Sequence, residues 1–141
     1  MEPLISIVDD DQAVRDALKR MLQSHGFAAA AFASAEQFLS QVKADSVACL
    51  ILDVRMPGMT GLALHDYLSS TACRIPTILI TACPTSGERR RAIANGAASY
   101  LAKPVSEQVL LDTIREVLED GRKAESSASE GGPGTHFEDL I

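Results

Sequence analysis

Short apolar runs and amphipathic stretches alternate five times along this chain. Residues 4–8, 27–32, 47–52, 77–81 and 98–102 are runs of five or six residues, a length that suits strands better than helices. Val14, Ala17, Leu18, Met21 and Leu22 recur at helical spacing, and His25-Gly26 stops that helix. Ser34 and Gln37 have capping-box spacing for a helix that carries Phe38, Leu39 and Val42. Another helix runs from about Gly61 to Ser70 with Leu64 and Leu68 inward, after a turn through Pro57-Gly58-Met59-Thr60-Gly61. Thr85 and Glu88 open the fourth helix, which ends at Asn95-Gly96. The last runs from Ser106 to about Glu119, with Leu110, Ile114, Val117 and Leu118 on one face.

Residues 47–52 are apolar at almost every position, the pattern of a parallel strand buried on both faces. The second run is rich in alanine and has weak strand propensity. Alternating βα units predict a parallel sheet with helices on both faces. Five units of this size suit a flavodoxin-like (βα)5 fold with strand order 2-1-3-4-5, which makes the first and third strands neighbours.

Polar groups sit at the carboxyl ends of these runs. Asp9-Asp10-Asp11 follows the first, Asp53 the third and Lys103-Pro104 the fifth. Ligands bind at that edge of an open parallel sheet. A carboxylate at Asp53 is a candidate nucleophile toward phosphorus, or else a turn acid. Asp9 and Asp10 are adjacent and point in different directions, so one of them is expected to reach a metal through water. Three acids around one point repel unless a cation neutralises them, and Mg²⁺ suits such oxygen donors. Asp11 is expected to serve the first helix as an N-terminal charge. Lys103, held by Pro104, can pair with a phosphoryl oxygen, and the Thr81 hydroxyl can donate to the same group. Tyr100 is either core or a side chain that moves with Thr81.

Composition narrows the partners. Formal net charge is −6 over 141 residues. Half of it lies in residues 120–141, where five acids face Arg122 and Lys123. No basic stripe suggests nucleic-acid binding. No apolar run spans a bilayer, and Met1-Glu2-Pro3 does not lead into a signal-peptide core, so a cytoplasmic protein is expected. Cys49, Cys73 and Cys83 lack metal-ligand spacing and fit a reducing compartment. Residues 121–141 are Gly-, Ser- and Glu-rich and are expected to form a flexible acidic tail after a domain of residues 1–120.

The segments Ile7-Val8-Asp9-Asp10-Asp11, Leu52-Asp53-Val54-Arg55-Met56-Pro57-Gly58-Met59-Thr60-Gly61, Ile80-Thr81-Ala82 and Lys103-Pro104 occur in one order. Together they resemble the receiver domain of two-component response regulators over residues 4–119, and most of all the FixJ-like receivers. The resemblance implies that Asp53 is the phosphoacceptor. It implies that Asp9, Asp10, Asp53 and the backbone carbonyl of Arg55 hold Mg²⁺. Lys103 would pair with the phosphoryl group, and Thr81 with Tyr100 would form the switch. The donor would be a histidine kinase or a histidine phosphotransfer protein. The receiver would act on itself rather than turn over a substrate.

The sequence departs from the pattern at Val105, where such receivers usually carry Phe. Arg55 and Cys83 stand where family members tune phosphate lifetime. Arg89-Arg90-Arg91 on the fourth helix is either a solvated face or a docking patch for an acidic partner. Phosphorylation-dependent homodimerisation is a family expectation. A single-domain regulator is expected, with a receiver cut from a helix-turn-helix transcription factor as the alternative. A haloacid dehalogenase-like phosphatase would want an acid where Arg55 stands, and a phosphate-independent binding module would not need the full set of site residues.

Overall fold

In a computed structural model, residues 3–43, 46–71 and 74–131 are described. The elements are β1 (Leu4–Val8), α1 (Gln12–Ser24), β2 (Ala28–Phe32), α2 (Ala35–Gln41) and β3 (Cys49–Asp53). They continue with α3 (Gly61–Ser70), β4 (Thr77–Thr81), α4 (Ser86–Ala94), β5 (Ser99–Ala102) and α5 (Glu107–Gly131). The five strands form one parallel sheet in the order β2-β1-β3-β4-β5. This is the flavodoxin-like arrangement expected from the alternation of runs.

The period of two along each strand divides the core. Ile5 and Ile7 of β1, Cys49 and Ile51 of β3, and Ile78 and Ile80 of β4 face one side. There they pack with Leu22 of α1 and with Leu110, Ile114 and Val117 of α5. Val8, Leu50, Leu52 and Leu79 face the other side, against Phe38 of α2, Leu64 and Leu68 of α3, and Ala92 of α4. Every residue of β3 is buried. Each fully buried Leu or Ile there is worth roughly 2 kcal/mol. The alanine-rich β2 stays an edge strand, paired only with β1. It is anchored at its end by Phe32, whose ring meets Phe38 edge-on at 5.5 Å.

The caps follow their side chains. Asp11 is the N-cap of α1 and accepts from the amides of Ala13 and Val14. Ser34 accepts from Gln37, and the Gln37 carboxamide in turn accepts from the amide of Ala33. Gly26, with φ of +87°, ends α1 in the left-handed region that only glycine enters without cost.

One boundary differs from the sequence expectation. The last helix does not stop near Glu119 but continues to Gly131. Arg122, Lys123, Ala124 and Glu125 are good helix formers, and an isolated glycine such as Gly121 costs only about 1 kcal/mol in a helix. The acidic tail expected from residue 121 therefore begins as helix. Residues 132–141, with Phe137, Leu140 and Ile141, lie outside the described residues, as does Cys73. No described helix is long and apolar enough to cross a membrane.

Candidate functional site

The carboxyl ends of β1, β3 and β5 bring the site together. β1 and β3 run side by side in register, with Val8 opposite Leu52, so the acids that follow each strand meet. One carboxylate oxygen each from Asp9, Asp10 and Asp53 lies within 4.8 Å of the others. Asp9 and Asp53 are buried, whereas Asp10 is exposed. The Lys103 ammonium, carried in at the end of β5, sits 3.0 Å from Asp9 Oδ2 and 3.5 Å from Asp53 Oδ2. The Lys103–Pro104 peptide bond is cis.

Electrostatics in the pocket are unbalanced. Burial, and next the neighbouring Asp9 charge, push the Asp53 carboxyl up to about 6, although Lys103 and the Arg55 amide oppose the shift. Burial alone would lower the Lys103 pKa. The hydrogen bond and charge of Asp9, with help from Asp53, outweigh it and hold the ammonium above its ordinary value. With all three acids ionised, one ammonium leaves two negative charges uncompensated. Oxygen donors this close, carrying that excess charge, fit a hard divalent cation. Arg15 adds a further cation at the rim, donating to the backbone carbonyl of Asp9 at 2.7 Å.

Surrounding backbone holds Asp53 in place. Its Oδ1 accepts from the Arg55 amide at 3.3 Å. The Val54 amide donates to Ile80 O, and the Gly61 amide donates to Val54 O, each at 2.9 Å. Gly61 is required by close approach, because a Cβ there would lie 2.1 Å from the Asp53 carbonyl oxygen. On the opposite side of the turn, Glu36 of α2 accepts from the Met59 amide at 3.1 Å.

Not every expected site residue converges on this point. Thr81 is buried at the end of β4, and its hydroxyl accepts from the Cys83 amide at 3.1 Å. Tyr100 is buried too, with its hydroxyl directed to α4. That hydroxyl accepts from the Thr85 amide at 3.2 Å and donates to Glu88 Oε1 at 2.9 Å. Burial, and with it the Glu88 carboxylate, raises the phenol's pKa. The Arg55 guanidinium points toward α4, donating to Glu88 Oε2 at 3.1 Å and to Cys83 O at 3.4 Å.

The arginine triplet is not a uniform patch. Arg91 pairs with Asp66 of α3, and the Arg89 guanidinium lies 5.0 Å from the Tyr100 ring centre. All three arginines are exposed on α4, so a solvated face with two internal tethers describes them better than a free cationic surface. Val105 packs against the core cluster beneath α1 and α5. Burial pushes the Cys49 thiol up to about 12, which leaves it unreactive core.

Several contributors escape a one-dimensional reading. Arg15 of α1 and Glu36 of α2 act on the site's loops, and Gly61, quoted in the motif, through its close approach to Asp53, contacts made only in the folded chain. Glu88 was legible as a capping residue through its spacing from Thr85, and the Thr85 hydroxyl does accept from its amide at 3.1 Å. Its carboxylate, however, is spent on Arg55 and Tyr100.

Comparison with known proteins places this geometry. The family model described as response regulator receiver domain matches residues 5–115. The response regulator protein TodT of Pseudomonas putida is 38% identical over 125 residues, which cover 89% of this chain and 55% of TodT. The chain thus spans about half the length of the curated relatives it matches. A CheY-like receiver domain protein from Methanospirillum hungatei superposes with a TM-score of 0.82 at 27% identity, covering 87% of this chain and 98% of that one. The FixJ-N crystal structure gives a TM-score of 0.75 at 34% identity, over 84% of this chain and 95% of that one. Strand order, acidic pocket and sequence agree, and the chain belongs to the response regulator receiver domain family of two-component systems.

Proposed function

We propose that this receiver accepts a phosphoryl group on Asp53 from a histidine kinase or a histidine phosphotransfer protein. The observation that carries the reading is the placement of Lys103 between two buried carboxylates, within a cluster of three acids. Asp9, Asp10 and Asp53, with the Arg55 backbone carbonyl, would hold Mg²⁺, which when bound supplies positive charge to the transferring phosphoryl oxygens. Asp53 attacks phosphorus in line, the donor's P–N bond breaks, and the imidazole leaves. Lys103 stabilises the charge on the phosphoryl oxygens. Water later hydrolyses the acyl phosphate and restores Asp53. The protein modifies itself and does not turn over a separate substrate.

Thr81 lies at the end of the strand beside Asp53, so its hydroxyl is placed to turn from the Cys83 amide toward a new dianion. Movement there biases Tyr100 and α4, and hence the surface offered to a downstream protein or to a second copy. The chain would signal by that contact as a single-domain regulator. Its match to 55% of TodT and to 30% of the transcriptional regulatory protein DctD supports a second reading, the receiver part of a transcription regulator with a separate DNA-binding region. Reading the gene beyond Ile141 separates the two.

The site itself is tested with acetyl phosphate and intact mass. One phosphate adduct that requires Mg²⁺ and is absent from Asp53→Asn is expected. No adduct, or an adduct that persists in the variant, contradicts the assignment.

A further inference from the structure

An unbroken chain of polar contacts leads from the phosphoacceptor to the start of α4. The Arg55 amide donates to Asp53 Oδ1, while its guanidinium donates to Glu88 Oε2 at 3.1 Å. The other Glu88 oxygen accepts from the Tyr100 hydroxyl at 2.9 Å, and that hydroxyl accepts from the Thr85 amide at 3.2 Å. In an ordinary capping box the carboxylate at Glu88 would accept directly from the amide of the N-cap, Thr85. Here a phenol from β5 stands between the two. Thr85 caps α4 with its own hydroxyl, while a side chain of another element takes the Thr85 amide, and Arg55 reaches that side chain through Glu88.

α4 has little apolar packing to fix it, and its other ties are polar, from Arg91 and Asn95 to Asp66 and from Arg89 to the Tyr100 ring. Ala92 is its one buried residue, and Ile93 is half exposed. With so little packing, the hydrogen bond from the Thr85 amide to Tyr100 matters to how the helix start is held. The Arg55 guanidinium is itself half exposed and lines the same surface cleft as Glu88, Met56 and Pro57, which gives it room to change partner.

We propose that Arg55 is a positioning residue that exchanges partners, holding Glu88 when Asp53 is unmodified and turning to the phosphoryl group when Asp53 carries one. This rests on Asp53 being the phosphoacceptor. A phosphoryl group offers a guanidinium more charge than a single carboxylate and, like a carboxylate, two oxygens for a two-point contact. When Arg55 leaves, Glu88 loses the cation that orients it and is released to adjust its bond with the Tyr100 hydroxyl, which shifts the start of α4 at the Thr85 amide. Binding free energies are reciprocal, so whatever releases Arg55 from Glu88 must strengthen phosphoryl binding.

The test uses the full chain and beryllium fluoride, a phosphoryl mimic, titrated with Mg²⁺ present and followed through the backbone amide resonances of Thr85 and Glu88. Glu88→Gln is expected to bind the mimic about fivefold more tightly, because Arg55 is already free. Arg55→Ala is expected to bind it about fivefold more weakly. In the Arg55→Ala background, Glu88→Gln should then change nothing. In the wild type the Thr85 and Glu88 amides should shift on binding, and in Arg55→Ala that shift should be largely lost. Wild-type binding with both single variants unchanged, or a Glu88→Gln effect that survives without Arg55, overturns the partner exchange while leaving Asp53 as acceptor. Absence of Mg²⁺-dependent binding in the folded wild type overturns both.

Discussion

A β-carbon on Gly61 would stand 2.1 Å from the carbonyl oxygen of Asp53, and the Gly61 amide is bonded to the next carbonyl, that of Val54. The first residue of α3 is thus packed onto the backbone of Asp53. Gly61→Ala must push that backbone aside, and overpacking of this kind costs about 1–3 kcal/mol. We expect a lower urea midpoint and slower adduct formation with acetyl phosphate. Unchanged values for both would show that the loop yields without cost.

The buried Asp53 carboxyl gives stability a pH signature in Mg²⁺-free buffer. Its folded pKa, about 6, lies above the ordinary 3.8. The folded chain therefore holds this proton more tightly than the unfolded chain does. That contribution is complete below the unfolded value and is lost as pH rises through about 6. A shift of this size corresponds to roughly 3 kcal/mol. Asp53→Asn removes it, so the variant should gain on the wild type between pH 4 and pH 7, values that bracket about 6. Urea denaturation of both proteins across that range measures the difference, and a flat difference contradicts the burial and charge crowding assigned to Asp53.

Mg²⁺ should reverse this penalty. At about ten times its dissociation constant, the ion should add about 1.4 kcal/mol to the unfolding free energy of the wild type. Asp9→Asn should abolish the gain and Asp10→Asn should reduce it, since Asp9 is buried in the pocket and Asp10 faces solvent. Thermal melts with and without Mg²⁺ measure the gain. Equal stabilisation of all three proteins would place the ion elsewhere.

Lys103→Met leaves two buried carboxylates without their ammonium. Breaking such a pair is destabilising by a few kcal/mol when it is fully buried, and about 1–3 kcal/mol is expected for this partly solvated lysine. Phosphoryl transfer should slow by about a hundredfold, the usual effect of removing a donor to developing negative charge. Adduct formation at the wild-type rate would remove Lys103 from the chemistry.

Most of the frame was legible because its signals are local. Buried parallel strands read as short apolar runs, and Asp9, Asp53 and Lys103 follow those runs at the edge where such sheets bind ligands. The end of α5 was less legible, because Ser and Gly composition argues for coil while the intervening Arg122, Lys123, Ala124 and Glu125 sustain a helix to Gly131. Contacts between distant elements left no trace in one dimension. Arg91 was readable as a charge but not as the partner of Asp66, and Tyr100 was readable as a strand aromatic but not as the acceptor of the Thr85 amide at the start of α4.

The most direct test of the central claim is to locate the phosphoryl group. Protein treated with acetyl phosphate and Mg²⁺ is reduced with borohydride, which converts an aspartyl phosphate to homoserine, and is then digested for peptide mass spectrometry. Homoserine at position 53, absent when Mg²⁺ is withheld, is the expected result. Homoserine at Asp9 or Asp10 instead, or at no position in protein that carries the adduct, would contradict the assignment of Asp53.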